Sequence, residues 1–262
     1  MRERVAGRRL PWFLLALGLL PYLVCCWGTI EFRWLSLACV AALPLAASLW
    51  FVVLPASPIT DLAFLAMIPA VILGGFFDSV YPVYLGQRLA TLGHVTFIPM
   101  AVLPLMLERR VVETGFTFAP TRAEWRIGAL NFLYFLPVGA ALGFALRAFR
   151  PHEFAPPWKI AGTFLGFLWV IGLSEEFFFR GVLQQWVEDW TRNRAAALAI
   201  ASAVFGAVHL GFPGFPFPNW RWALVAGALG WFCGRARNQA GSIGASTVTH
   251  ALAVAAWRAF LG

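Results

Sequence analysis

The chain has 262 residues, of which 60% are hydrophobic and only 12% are charged, and its mean hydropathy is +0.74. A soluble domain carries about 25% charged residues to keep its surface solvated, so this composition excludes an ordinary water-soluble fold and makes lipid the solvent. The net charge of +8 rests almost wholly on arginine, with Lys159 the one lysine; without a solvated basic domain it reads as the basic bias of cytoplasmic loops, and no nucleic-acid partner is expected.

In chain order, apolar runs long enough to be helical lie near Pro11–Ile30, Trp34–Leu54, Leu62–Phe77, Thr91–Leu107, Ile127–Leu146, Trp158–Trp186, Ala195–Phe212, Trp220–Gly234 and Ser242–Leu261. About 20 apolar residues are needed to cross a hydrocarbon core about 30 Å thick. The fold class expected is therefore all-α, a polytopic transmembrane helical bundle of about seven to nine spans. The first run follows Arg2, Arg4, Arg8 and Arg9 without a small-x-small cleavage site, and reads as a retained signal anchor with a cytoplasmic N-terminus. The four cysteines, Cys25, Cys26, Cys39 and Cys233, sit in apolar runs without a C-x-x-C pair. They read as buried thiols, with neither a disulfide nor a metal indicated.

The most polar stretch is 108–126, ERRVVETGFTFAPTRAEWR. It divides an N-terminal block with its linker, residues 1–126, from a C-terminal block, residues 127–262. The first block carries no motif with a recognisable chemistry.

The second block does. Ile171–Gln185 reads IGLSEEFFFRGVLQQ, placing Glu175 and Glu176 in an otherwise apolar run. A charge at the centre of a membrane helix costs about 2.5–3.5 kcal/mol on insertion scales, so two adjacent carboxylates require a reason. Arg180 stands four residues after Glu176 and can pair with it on one helical face. Glu175 is rotated by about 100° and needs another partner. The next run supplies one: Phe205 and His209 are four apart in SAVFGAVHLGF. Glu175 and His209 are each 17 residues from Arg192, in the polar turn EDWTRNR. In an antiparallel hairpin, residues equidistant from the turn share a height, here about 25 Å from it at 1.5 Å per residue. A third ionisable group, His250, lies in the last apolar run, STVTHALAVAAW.

A carboxylate beside an imidazole can take a proton from water as general base, and a second imidazole can donate to an oxyanion. The same residues can also ligate a divalent ion, so that reading stays open on the residues alone. The order E-E-x-x-x-R, then F-x-x-x-H, then a later membrane-embedded His resembles the CPBP family, which comprises type II CAAX prenyl proteases and bacterial Abi or bacteriocin-processing relatives. The motifs are Glu175-Glu176…Arg180, Phe205…His209 and His250, and the resemblance covers 127–262.

The resemblance implies an intramembrane endopeptidase acting on a membrane-associated protein or peptide. It gives Glu175 the activation of water, His209 the holding of that water, and His250 a part in stabilising the oxyanion, with Glu176, Arg180 and Phe205 in support. It implies a glutamate mechanism without a cofactor; a metal-dependent alternative would place a divalent ion such as zinc on Glu175, His209 and His250. The family's third motif is commonly H-x-x-x-N, whereas this chain has Val254 four residues after His250. Ser246, Thr247 and Thr249 are the nearby hydroxyls in the sequence that could supply a substitute. Two rival functions follow from the departure and from the buried charges: a non-catalytic immunity or scaffold factor, and a proton-coupled transporter. The abundance of arginine over lysine points to a bacterial inner membrane as the location.

Overall fold

The computed structural model of the protein describes residues 9–81, 89–151, 153–211 and 216–261. The basic start at Arg2, Arg4 and Arg8, and residues 212–215 of the Pro- and Gly-rich loop after His209, lie outside the described residues. The protein is all-α: among the described residues there is no strand, only an isolated bridge between Pro151 and Leu261. It divides into two compact units, 1–112 and 113–262.

The first unit contains α1 (Leu10–Gly28), α2 (Trp34–Val53), α3 (Pro58–Leu73), the short α4 (Phe76–Val80) and α5 (Leu89–Leu107). Prolines stand at the first turn of α1 and α3, where the missing N–H costs nothing. Ser57 and Thr60 form a reciprocal capping box on α3. The buried Asp61 carboxylate receives two hydrogen bonds of 2.7 Å from Arg109, which ties the start of α3 to the residues after α5.

The second unit begins with an irregular segment that leads into α6 (Arg122–Ala145), opened by a Thr121–Glu124 capping box. Helix α7 (Pro157–Trp169) ends where Val170 leaves helical geometry, and α8 (Ile171–Glu176) restarts the helix at once. A π-helix, Phe177–Leu183, continues it into α9 (Gln184–Thr191). Arg192, in the left-handed region at φ 53°, makes the hairpin turn. The Asn193 side chain then caps α10 (Arg194–Val208), which closes in a 3-10 turn over His209–Gly211. Two further helices complete the unit: α11 (Trp220–Ala240), ended by Gly241 at φ 69°, and α12 (Ile243–Phe260), capped by Ser242.

Helix α12 is the centre of this unit, packed against α6, α7, α8 and α11, while α10 lies along α11. Residues 243–251 of α12 are all buried, which explains their small size: GASTVTHA leaves room for neighbours on every side. Its hydroxyls turn back onto the backbone. Ser246 and Thr247 donate to the Ile243 carbonyl, and Thr249 donates to Ala245 and, across to α6, to Gly128. Such back-bonding satisfies a polar side chain without water.

Large apolar side chains crowd the outside, among them Leu133, Tyr134, Phe144, Leu224 and Trp231, as a lipid-facing surface requires. Among the described residues, five helical stretches are long and apolar enough to cross a membrane: Leu10–Gly28, Trp34–Val53, Arg122–Ala145, Pro157–Thr191 and Arg194–Gly211. Two shorter apolar helices, Pro58–Leu73 and Thr91–Leu107, accompany them. Helices α11 and α12 occupy the last two apolar runs, so each run read from the sequence contains helix among the described residues. The chain is an integral membrane protein.

Candidate active site

The site is assembled where α8, the end of α10 and the middle of α12 meet. Glu176 is wholly buried, and its Oε1 accepts from Arg180 Nη1 at 3.0 Å and lies 2.8 Å from His250 Nδ1. Arg180, equally buried, donates its other terminal nitrogen to the Gly230 carbonyl of α11 at 3.1 Å. Its guanidinium carbon stands 4.3 Å from the centre of the Phe205 ring. A buried charge persists only when paired and hydrogen-bonded, and this arginine has a carboxylate, a carbonyl and an aromatic face.

Close helix approach makes that possible. A Cβ on Gly230 would stand 3.1 Å from Arg180 Nη2 and 3.2 Å from the Phe205 ring. A Cβ on Gly206 would come to 2.6 Å from the Ala223 carbonyl. Small residues at these crossings let α10 and α11 pack backbone to backbone and hold Phe205 over the arginine.

Glu175 has a different environment. Its side chain is about one-third exposed, with Oε2 3.7 Å from His250 Nε2. That separation is beyond a direct hydrogen bond. The two nitrogens of His250 thus face two acids, Nδ1 toward Glu176 and Nε2 toward Glu175.

His209 ends α10, where the last carbonyls lack helical partners. Its Nδ1 lies 2.7 Å from the Phe205 carbonyl, an oxygen that can only accept, so Nδ1 carries the proton and Nε2 is the ring's basic nitrogen in the neutral tautomer. Phe205 contacts both imidazoles, with ring centres 4.8 Å from His209 and 5.7 Å from His250. Glu175 and His209 are close enough to interact electrostatically.

Glu175, His209 and His250 all line one cavity of about 260 Å³ whose other walls are mainly apolar and aromatic, including Phe132, Phe135, Phe167, Trp222 and Leu229. Val254 lines it too. Ser246, Thr247 and Thr249 do not line it, and each hydroxyl lies within hydrogen-bond distance of a backbone carbonyl, so none of the three stands in the cavity where the resemblance leads one to expect the asparagine.

The structure therefore brings together all six residues singled out from the sequence. Two features escaped that reading. His250 bonds Glu176, although spacing within one helix says nothing of a partner 74 residues away. Cys233 of α11 adds its thiol to the cluster. Among the described residues, the group close enough to share a metal is Glu176, Cys233 and His250, not Glu175, His209 and His250.

No curated protein and no solved structure matches the chain. Residues 156–256, which contain both glutamates, Arg180, Phe205, both histidines and Val254, match the family described as type II CAAX prenyl endopeptidase Rce1-like, and the resemblance read from the three motifs holds over the segment that carries them.

Proposed function

We propose that the second unit is an intramembrane endopeptidase that hydrolyses a peptide bond of a membrane-associated protein or peptide with water activated by Glu175. The family match supports a peptidase. The observation that carries the mechanism is the division of labour between neighbouring acids: Glu176 is locked onto Arg180 and His250, while Glu175 stands in the cavity.

In the proposed reaction, water sits between Glu175 and Nε2 of His209. Glu175 takes one proton as general base while His209 accepts the other hydrogen in a bond that aims the oxygen. As the oxygen adds to the substrate carbonyl, negative charge collects on the carbonyl oxygen. His250 meets it with an Nε2 proton, for which the ring must be doubly protonated. Its Nδ1 proton is held by Glu176. Glu175 then returns its proton to the leaving amine. Arg180 stays paired with Glu176 throughout.

The apolar cavity suits a substrate presented from the bilayer, and the arginine-rich, lysine-poor composition suits a bacterial inner membrane. The scaffold reading draws on one observation, the absence of a side-chain donor at Val254.

Cleavage of a panel of small membrane peptides by purified protein, with and without a chelator, tests the proposal. Glu175→Gln and His209→Ala should each lower kcat by about 10²–10⁴-fold with helicity and membrane insertion intact. Variants that cut as fast as the parent, or a parent that cuts nothing while both variants keep the biological effect, would replace the peptidase with the scaffold.

A further inference from the structure

We propose that Arg258 is a substrate-binding residue that selects peptides with an acidic side chain about three or four residues from the bond that is cut. The inference rests on the peptidase reading and adds the chemistry of its substrate. The cavity that holds Glu175, His209 and His250 extends to the C-terminal end of α12, where Trp257, Arg258, Phe260 and Leu261 line it. Arg258 and Phe260 are exposed, so the cavity opens at this end. Among the described lining residues, Arg258 alone carries a permanent positive charge, and no carboxylate of the described residues forms a salt bridge with it.

The surroundings hold this arginine in place and raise the local potential. Its guanidinium carbon stands 4.5 Å from the centre of the Trp257 ring, which in turn packs on Trp222 at 4.7 Å. The Ala155 N–H donates to the Ala259 carbonyl at 3.2 Å, and Pro151 bridges to Leu261. These bonds fasten the segment between α6 and α7 beside Arg258. That segment contributes Arg147 and Arg150, the start of α7 contributes Lys159, and the start of α11 contributes Arg221, all exposed. Among the described residues at this end, Glu153 is the one carboxylate. Such an excess of one sign draws partners of the other.

Helix geometry sets the position read. Arg258 follows His250 by eight residues, which is about 12 Å at 1.5 Å per residue. An extended peptide advances about 3.3–3.6 Å per residue. A substrate with its scissile carbonyl at His250 therefore presents its third or fourth residue, on one side of that bond, to Arg258. There a guanidinium can meet a carboxylate with two parallel N–H donors. Anionic lipid headgroups are the rival occupant of a basic membrane edge. The cavity favours the peptide, because Arg258 shares it with Glu175 and His250, whereas Arg147, Arg150, Lys159 and Arg221 do not line it.

The test uses purified full-length protein in phosphatidylcholine nanodiscs and peptides carrying Glu or Gln in turn at each position on either side of the bond cut. Glu at the third or fourth position should raise kcat/KM over Gln by about tenfold or more, mainly through KM. Arg258→Gln should bring that ratio near unity, and Arg258→Glu should reverse the preference toward Lys. Arg221→Gln, outside the cavity, should keep it. A parent without the preference, a preference that survives in Arg258→Gln, or an equal collapse in Arg221→Gln would overturn the proposal. So would an effect of Arg258 seen only after anionic phosphatidylglycerol is added, which assigns the arginine to the membrane. Fluorescence anisotropy of the same labelled peptides, with Arg258 or with Arg258→Gln, reads binding without cleavage. Preferential binding of Glu peptides that depends on Arg258, in a protein that cuts none of them, removes the peptidase and leaves the recognition standing.

Discussion

At the scale of single residues, the two glutamates show how neighbours in sequence are given separate work by a rotation of the helix. Glu176 points into the bundle and meets Arg180, and the pair illustrates why half a buried ion pair is worse than none. Arg180→Ala leaves a wholly buried carboxylate without its guanidinium partner, and should destabilise the protein by about 3–5 kcal/mol, read as an earlier loss of helical signal in detergent. The double change Arg180→Ala with Glu176→Gln should recover part of that loss, since the orphaned charge is gone. Val254 poses the opposite question, because it lines the cavity one turn beyond His250 and offers no donor. Val254→Asn should raise kcat by at least about tenfold, with about 10²–10³-fold, the worth of one oxyanion donor, as the ceiling; an unchanged rate would place the developing charge elsewhere.

These residues also mark how much of the site a sequence can reveal. The Glu176–Arg180 pair was legible because four-residue spacing survives in the folded helix. Glu175 and His209 were legible because a hairpin maps equal distances onto equal heights, and its turn indeed falls at Arg192. The bond between His250 and Glu176 was not, since it depends on how α12 is rotated among four neighbours. Nor was the place of Cys233, because a thiol in an apolar run has the same signature whether it faces lipid or a carboxylate.

At the scale of elements, apolar run length named the helices but concealed their interruptions. The stretch Pro157–Thr191 spans 35 residues, well beyond the roughly 20 that cross a bilayer. Nothing in its hydropathy marks the break at Val170 or the π-helix after Glu176. Both are set by tertiary packing, which brings α8 against α12. Helix crossings follow the same logic. At Gly206 an added methyl would meet the Ala223 carbonyl, a backbone atom that cannot swing aside. Gly206→Ala should push α10 from α11, cost about 1–3 kcal/mol and lower activity by moving His209; thermal melting and peptide cleavage measured on one preparation would separate the two effects.

At the scale of the whole molecule, the all-α membrane class follows from composition, since too few charges are present to clothe a soluble surface. The first unit remains without an assigned chemistry, yet it carries a titratable group of consequence. Glu108, just beyond α5, has both carboxyl oxygens buried without hydrogen-bond partners among the described residues. Burial pushes its carboxyl up to about 7. A carboxyl raised in the fold is most stable protonated, so its favourable state is present below the ordinary carboxylate range. Stability declines as pH rises from there through about 7 and then levels off. Unfolding of the protein at pH 5, 6, 7 and 8 should show this decline, and Glu108→Gln should flatten it.

The widened turn after Glu176 has a consequence for descent. A π-helix is an α-helix with a residue to spare, and its seven residues separate the acids from α9. Losing one position there would let the stretch close into ordinary α-helix with its flanks still in phase, whereas gaining another would swing the glutamates about 100° relative to everything downstream. An alignment of true relatives should therefore show single-residue deletions between Arg180 and Gln184 but no insertions.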